Sequence, residues 1–394
     1  MSATSTGPRQ HAGRLQIGVA GAGFSGAVVA RQLAEAGHRV SVFDPLPHVA
    51  GHCHTERDAE TGVMVHRYGP HIFHTADVRV WEYVRRFADM VPYRHTVRTT
   101  VAGRVYPMPV NLTTINLLFG TELDPAGARA LVEAQRESFT RPPVNFEEQA
   151  LATVGRRLYE AFFRGYTAKQ WGADPVDLPP SLFSRLPVRF TADDSYFDHP
   201  YQAIPRGGYT ALVTALLDHP AVDVHLGHAY TPTLAEQFDH SIWTGPIDAW
   251  FGHSLGRLRY RTLDFEAERG EGVHQMCAVM NFGDRSVAHT RITEFKHFAA
   301  WEQHERSVWY REYSREAGPD DAPYYPVRLA GDEHLLDAYL ELARASSGVT
   351  FVGRLATYKY IDMDVAIGAA LQAAATIVTA IDTGRPIPPF TGTP

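Results

Sequence analysis

The sequence predicts an α/β fold: a parallel βαβ domain interrupted by a helical-bundle insertion and an antiparallel sheet. Three observations predict it. An apolar run at residues 15–20 leads into the hexapeptide Gly21-Ala22-Gly23-Phe24-Ser25-Gly26 and then into helical spacing. Residues 146–170 are rich in Leu, Tyr and Phe and read as helices. Residues 185–209 and 245–325 interleave β-type residues with Gly and Pro, the pattern of antiparallel strands and turns. With 394 residues, and about 150 per domain, two or three domains are expected. A hydrophobic content of 44% supplies a sizeable core.

Taken in order, residues 1–13 are small and polar and read as a disordered leader without the apolar segment of a signal peptide. Residues 15–20 form a buried strand. Val28, Val29, Leu33 and Ala36 give the next segment a helical apolar face, which Gly37 stops as a C-cap. Residues 39–43 form the second strand, ending in Asp44. A helical signal over 125–137 is broken at Pro142-Pro143 and resumes at Phe146, so residues 111–180 are read as a helical insertion. Residues 350–352 form a further strand, and 363–381 an Ala-rich helix.

Composition narrows the function classes. A net charge of −7 argues against a nucleic-acid footprint. A local Arg cluster would still accept an anionic small substrate. Two cysteines, Cys53 and Cys277, are too few for a disulfide framework and suit a reducing cytoplasm. No apolar run reads as long enough to span a bilayer. Among the 20 His, the group His48, His52 and His54 lacks metal spacing with a fourth ligand, so no metal is expected.

The hexapeptide carries the first chemistry. Gly21 permits a tight turn, Gly23 a close backbone approach to a pyrophosphate, and Gly26 close packing of helix on strand. The helix beginning at Phe24 and Ser25 points free N–H groups and a positive dipole end at the phosphates. Asp44, about 20 residues on, is placed to accept from an adenosine ribose. NAD and FAD share this motif. The C-terminal segment favours FAD: Phe351-Val352-Gly353-Arg354 precedes Asp362-Met363-Asp364, which opens the last helix. A helix N-terminus and Arg354 would stabilise negative charge on a reduced flavin. Ordinary first-turn acids would explain Asp362 and Asp364 equally well.

Residues 162–172 place the aromatics Phe162, Phe163, Tyr166 and Trp171 on about three helical turns. Phe162, Tyr166 and Lys169 share a face by spacing. Aromatics in such a pattern form core more often than a stacking platform for a base. Arg185, Arg189 and Arg291, with Tyr196, Tyr324, Tyr325 and Tyr360, would bind a diphosphate if they converge.

Several strings, in order, resemble the bacterial UDP-galactopyranose mutases: GAGFSGAVVARQLAEAGH, VMVHRYGPHIFHT, YEAFFRGYTAKQWG, LPVRF, TRITE, YSRE, PYYPVR and FVGRLATYKYIDMD. The resemblance runs from about residue 15 to residue 390. It implies a Rossmann-like FAD-binding domain from discontinuous segments (14–80, 200–245 and 330–394), a helical domain (111–180) and a twisted antiparallel sheet domain (81–110, 181–199 and 246–329). It implies a redox-neutral isomerase that interconverts pyranose and furanose forms of a nucleotide sugar, by default UDP-galactopyranose. Reduced FAD attacks the anomeric carbon, and UDP leaves and returns. The implied cofactor-binding residues are Gly21, Gly23, Phe24, Ser25, Gly26, Asp44, His52, His71, Ile72, Val224, Arg354, Asp362 and Met363. The implied substrate residues are His95, Phe162, Phe163, Tyr166, Thr167, Trp171, Arg185, Tyr196, Asn281, Arg291, Tyr325 and Tyr360. Arg185, on a loop that closes over substrate, and Arg291 are the implied diphosphate clamp and, with His71 and Asp362, the catalytic set. A cytoplasmic homodimer, an external flavin reductant and a role in cell-surface glycan or secondary-metabolite synthesis are also implied.

The sequence departs from the family pattern at four places. His95 replaces a sugar-side Asn, Phe295 a His, Ala356 a Gly, and Ala50-Gly51-His52 replaces Gly-Gly-Asn. These leave the sugar open, modified sugars and other bases included. Two further readings are an amine-oxidase-like flavin oxidoreductase and a nucleotide-sugar binder without flavin. The diphosphate clamp argues against the first, and the intact glycine triad with Asp44 and Arg354 against the second.

Overall fold

The computed structural model describes residues 13–185, 188–327 and 333–393, and the side chains of residues 184, 185 and 333 lie outside that description. All but the last residue of the expected leader lies outside it too. The chain divides into two units. One comprises the chain up to Gly51, Val213–Leu255 and the chain from Ala338; the other comprises His52–Leu212 and Gly256–Asp337. The second unit thus holds the expected helical insertion and the expected sheet segments except 246–255, and it also takes 52–80 and 200–212 from the expected FAD-binding segments.

The first unit is built on five parallel strands in the order Val222–Leu226, Arg39–Asp44, Gln16–Ala20, His240–Trp243, Val349–Phe351. All four residues of His240–Trp243 are buried, as expected for a sheet covered on both faces. The strand order reverses direction beside Gln16–Ala20, where open α/β sheets form their ligand crevice. Helix Phe24–Glu35 buries Ala27, Val28, Val29, Ala30 and Leu33. It ends at Gly37, whose φ of 96° takes the left-handed turn that a side chain would oppose. Helix Met363–Asp382 packs against it through Ile367, Ala370, Ala373, Ala374 and Ile377. This helix is long and apolar enough to cross a membrane by length and composition, contrary to the sequence expectation. Its inward apolar face is used by the unit's own core.

The second unit holds a seven-stranded sheet, in the order Tyr325–Pro326, Tyr260–Glu271, Arg306–Glu316, Arg291–Glu294, Val279–Phe282, Val97–Val101, Arg104–Met108. It is antiparallel except where Val279–Phe282 runs parallel to Val97–Val101. The expected antiparallel sheet also falls short over 185–209. Among the described residues of that stretch, only Tyr201–Pro205 is a strand, in a separate three-stranded sheet. The segment before it spends its backbone bonds singly: Arg189 N donates to Val110 O at 2.9 Å and Tyr196 N to His95 O at 2.8 Å.

Helix Leu112–Phe119 packs on this sheet's edge strand Arg104–Met108, and helices Pro125–Gln135 and Phe146–Leu158 pack in turn behind it. Asn111, Asp124 and Asn145 cap them, each side chain accepting from a first-turn N–H. Gly155, at φ 76°, breaks the third helix where a Cβ would lie 2.3 Å from Gln135 O. Tyr159–Arg164 then forms a π-helical segment and Gly165–Trp171 an α-helix. The wider π turn breaks the 3.6-residue spacing assumed for Phe162, Tyr166 and Lys169, and the three do not share one environment.

Candidate active site

Strand register assembles the arginine site. Arg291 lies opposite Glu312 on one neighbouring strand and Asn281 on the other, and Asn281 opposite Thr99. Directly paired residues project from the same face of a sheet. Four distant stretches of sequence therefore contribute to one row. Arg291 Nε lies 3.1 Å from Glu312 Oε1, and its Nη2 donates to Tyr166 Oη at 2.9 Å. Burial opposes the charge on Arg291. Glu312, helped by Tyr166, Tyr325 and Tyr196, nonetheless holds its pKa well above the ordinary value. A guanidinium has five N–H donors, so this pairing leaves donors for an anionic ligand. Asn281 Oδ1 is buried and has no partner among the described residues.

The flanking aromatics come from several elements. Tyr325, on a short strand paired to Arg261, meets the Trp171 ring at 6.3 Å. Tyr196 packs edge-on to His95 at 5.6 Å. Thr167 is buried beside Tyr166 in sequence. Phe162 and Phe163 are 5% and 3% exposed, with edge-to-face partners Tyr106 and Phe183. They belong to the core of the helical layer, the commoner fate of helically spaced aromatics. Arg185 ends the turn Pro180–Arg185, and its side chain lies outside the described residues.

His95 is buried among Tyr93, Tyr196, Phe197 and Phe298. Burial, then Arg291 and His74, hold its pKa down at about 3, so it is neutral. Phe295 is fully buried against Tyr310 and His66 and faces apolar core. His71 N donates to His66 Nδ1 at 2.9 Å, which puts the proton of neutral His66 on Nε2. The His71 ring bonds Gly69 O at 2.8 Å. Ile72 packs in the same core, and His52 stacks flat on Tyr324 at 4.6 Å.

In the first unit the glycine loop leaves strand Gln16–Ala20. Gly21, at φ 101°, has no room for a Cβ, which would lie 2.1 Å from Thr244 Oγ1. At Gly26 a Cβ would lie 1.9 Å from Gly21 O. At Gly23 the direction of a Cβ is open to 4.0 Å, where it meets only Gly51 Cα. Helix Phe24–Glu35 has no side-chain cap at Gly23. Asp44 accepts from Ala22 N at 2.8 Å and Leu46 N at 2.9 Å, so the carboxylate also organises the loop. Burial nevertheless raises its pKa. Ala50 adopts φ 74° next to this loop, a conformation that costs a non-glycine residue. Val224 lies on the edge strand opposite Val42. Arg354 sits 4.5 Å over the Tyr360 ring and donates to Ile361 O at 3.4 Å. Asp362 is the N-cap of the last helix, Met363 its first residue, and Ala356 is fully buried.

The sequence profile described as UDP-galactopyranose mutase matches residues 161–360. One described as an NAD(P)-binding Rossmann-like domain matches residues 19–87. A probable UDP-galactopyranose mutase of Klebsiella pneumoniae is 48% identical over 375 residues, 95% of this chain and 98% of that protein. The chain belongs to the UDP-galactopyranose mutase family. Membership makes it a flavin-dependent nucleotide-sugar mutase, an isomerase. A dTDP-fucopyranose mutase of Escherichia coli is 44% identical over 363 residues, 90% of this chain and 96% of that protein. The crystal structure of a reduced UDP-galactopyranose mutase superposes with a TM-score of 0.72 over 93% of this chain and 94% of that one, at 16% identity. That likeness speaks for the fold.

The residues of this mutase fit a flavin cofactor. Among the described residues, Gly51 Cα is the one atom within 4.0 Å of a Cβ placed at Gly23, its chain neighbours apart, and no side chain caps the helix behind it. At the last helix, Asp364 Oδ1 is buried with no partner among the described residues, an acceptor suited to a hydroxyl. Two contributors escaped the sequence reading. Glu312 is the buried counter-charge of Arg291. Its only signal is the register of a strand then legible as strand but not as pairing. Lys169 was legible as a face residue, but its partners lie 115 to 120 residues away.

Proposed function

We propose that this chain interconverts the pyranose and furanose forms of UDP-galactose, with FAD as its flavin. The observation that carries the reading is Arg291, seated on buried Glu312 with Tyr166, Tyr196 and Tyr325 around it. Such a site suits a diphosphate. Bound and reduced, the flavin supplies the nucleophile for the anomeric carbon. The residues of the chain do the rest. Gly21, Gly23, Phe24, Ser25 and Gly26 would hold the FAD pyrophosphate, and Asp44 and Val224 would border its adenosine. His52, His71, Ile72, Arg354, Asp362 and Met363 would hold and polarise the ring system.

Arg291 and Arg185, with Tyr196, Tyr325 and Tyr360, would keep the departed UDP in place. Its return is then intramolecular, which avoids the entropy of a second encounter. Tyr166, Thr167, Trp171 and Asn281 would take the nucleoside, backed by Phe162 and Phe163, and neutral His95 would face the sugar. An external reductant, a homodimer and a cytoplasmic setting complete the proposal; the product would feed cell-surface glycan or secondary-metabolite synthesis. A second substrate, dTDP-fucopyranose, is favoured by the 44% identity to the E. coli enzyme.

The test is direct. Protein reduced with dithionite is incubated with UDP-galactofuranose and, separately, with dTDP-fucofuranose, and the pyranose is resolved chromatographically. Pyranose from the first supports the main reading, and from the second alone the alternative. No pyranose from either, with turnover of the oxidised protein on an electron acceptor, would overturn both.

A further inference from the structure

We infer that Lys169 is a positioning residue for nucleotide binding: its ammonium ties the helix carrying Tyr166, Thr167 and Trp171 to the loop that leads into Arg291. It thereby fixes the spacing between the base-binding and phosphate-binding side chains. The inference rests on the function proposed above.

Three observations carry it. Lys169 Nζ donates to the carbonyls of Asp284, Val287 and His289 at 3.0, 3.0 and 2.9 Å. An ammonium has three N–H donors, so the group is saturated. A lysine with a route to water does not ordinarily give up its hydration for backbone carbonyls. The loop is also seated against the start of the same helix. A Cβ at Gly165 would lie 2.1 Å from Gly283 O, so helix and loop meet at glycines. Finally, the staple encloses the site. Helix Gly165–Trp171 bears Tyr166 one turn before Lys169 and Trp171 two residues after it. The loop's last stapled carbonyl, at His289, is two residues from Arg291, and Tyr166 is bonded to Arg291.

Without the ammonium, three carbonyl dipoles would face one another in a half-buried pocket with nothing to separate their charge. The loop would be expected to swing to water and take the start of strand Arg291–Glu294 with it. Arginine cannot replace the lysine. Its planar fork spreads its donors, whereas these carbonyls converge on one point.

The charge state gives a further handle. Burial pushes Lys169 down to about 8, with Asp284 pulling the other way. The facing groups titrate elsewhere. Asp284 is held below its usual value by bonds from Ser286. His289 is pushed below 6.5 by burial, with Arg311 and Lys169 adding to the effect and Glu266 and Glu268 opposing it. Tyr313 is raised by its bond to Glu266. Between about pH 7 and about pH 9, Lys169 is therefore the group in this cluster that changes charge.

The experiment uses the full-length flavoprotein. UDP affinity is measured calorimetrically, and kcat and KM on the reduced enzyme, for wild type, Lys169→Ala and Lys169→Arg. Both variants are expected to raise the UDP Kd and the KM about tenfold and lower kcat less than about threefold, the pattern of lost positioning in the ground and transition states alike. Propylammonium should restore most of the UDP affinity of Lys169→Ala. Tetramethylammonium, which has no N–H, should restore none. The ratio of wild-type to variant affinity should shrink as pH rises through about 8. Should Lys169→Ala not fold, Lys169→Arg and the wild-type pH profile decide the matter. A folded variant that binds UDP as tightly as wild type overturns the inference alone. Wild-type protein that does not bind UDP overturns the function beneath it and the inference together.

Discussion

The glycine cradle after strand Gln16–Ala20 and the arginine row on the seven-stranded sheet would each hold phosphate, and they are made of opposite materials. The cradle has no charged side chain at its glycines. It would work by backbone N–H groups and by excluded volume, with Gly26 allowing no Cβ against Gly21 O. The row would work by one half-buried charge, Arg291, whose partial desolvation is offset by the buried Glu312. The cradle suits a resident group that never leaves. A side-chain charge on a strand suits a ligand that must detach and return, because its grip is adjustable by neighbouring phenols. The cradle should therefore fail abruptly on a small change of volume, and the row by degrees on a change of charge.

The largest effect tests the cradle. Gly26→Ala puts a Cβ at 1.9 Å from a backbone oxygen that has no flexible end to move. Flavin absorbance per chain should fall below about a tenth of wild type, and activity should vanish with it. UDP binding should persist within about twofold. A flavin-replete Gly26→Ala protein would break the claim that volume governs this region.

Next is Arg291→Ala, expected to lower kcat/KM about a thousandfold, or ~4 kcal/mol. It also strands Glu312, 2% exposed at its side chain, which should cost about 3 kcal/mol of stability. Adding Glu312→Gln should recover most of the stability, seen in the urea midpoint, and none of the activity. Recovery of both would mean that the arginine serves the fold alone.

These two regions were not equally legible. Gly21, Gly23, Gly26 and Asp44 lie within 24 residues, and each role follows from local backbone geometry, so the loop could be read outright. The row could be read only as isolated Arg and Tyr residues. Arg291, Asn281, Thr99 and Glu312 meet through pairings between strands that no local pattern encodes. The π turn at Tyr159–Arg164 was equally hidden, because an extra residue per turn is chosen by packing rather than by propensity. Phe162 and Phe163 lie on this turn and are buried in the core of the helical layer.

A third, smaller effect probes how the strand of Arg291 is anchored. Glu294, at its far end, is fully buried. Burial raises its pKa, but bonds from His297, Ser307 and the N–H groups of His274 and Gln275 win and hold it at about 2. A depressed carboxylate stabilises the fold above its unfolded pKa, and that share is lost as pH falls through the folded value. Wild type should therefore lose stability between about pH 4.5 and about pH 2, and the Glu294→Gln variant up to about 3 kcal/mol less over that window, by urea denaturation. Identical acid curves would mean that Glu294 is not paired as described.

The smallest effect concerns a histidine that should not titrate. His95 lies close to Arg291, and an ordinary imidazole there would change charge near pH 6.5 and weaken an anion site as it lost its proton. Burial and the guanidinium hold His95 at about 3 instead, and His66 is held at about 3 by burial and His71. Between about pH 5 and about pH 8 neither ring gains or loses charge, so neither should contribute an inflection to UDP affinity. His95→Asn keeps a neutral hydrogen-bonding side chain but removes ring contacts with Tyr93, Phe197 and Phe298. It should leave the UDP Kd within about twofold and shift the ratio of kcat/KM for UDP-galactofuranose over dTDP-fucofuranose by about threefold, the scale of a modest change in pocket shape. A bell-shaped profile in wild type that flattens in His95→Asn would show the ring to be charged in use. The row would then hold one switchable cation beside the permanent one now assigned, and its grip on the leaving nucleotide would depend on pH in a way that the cradle's cannot.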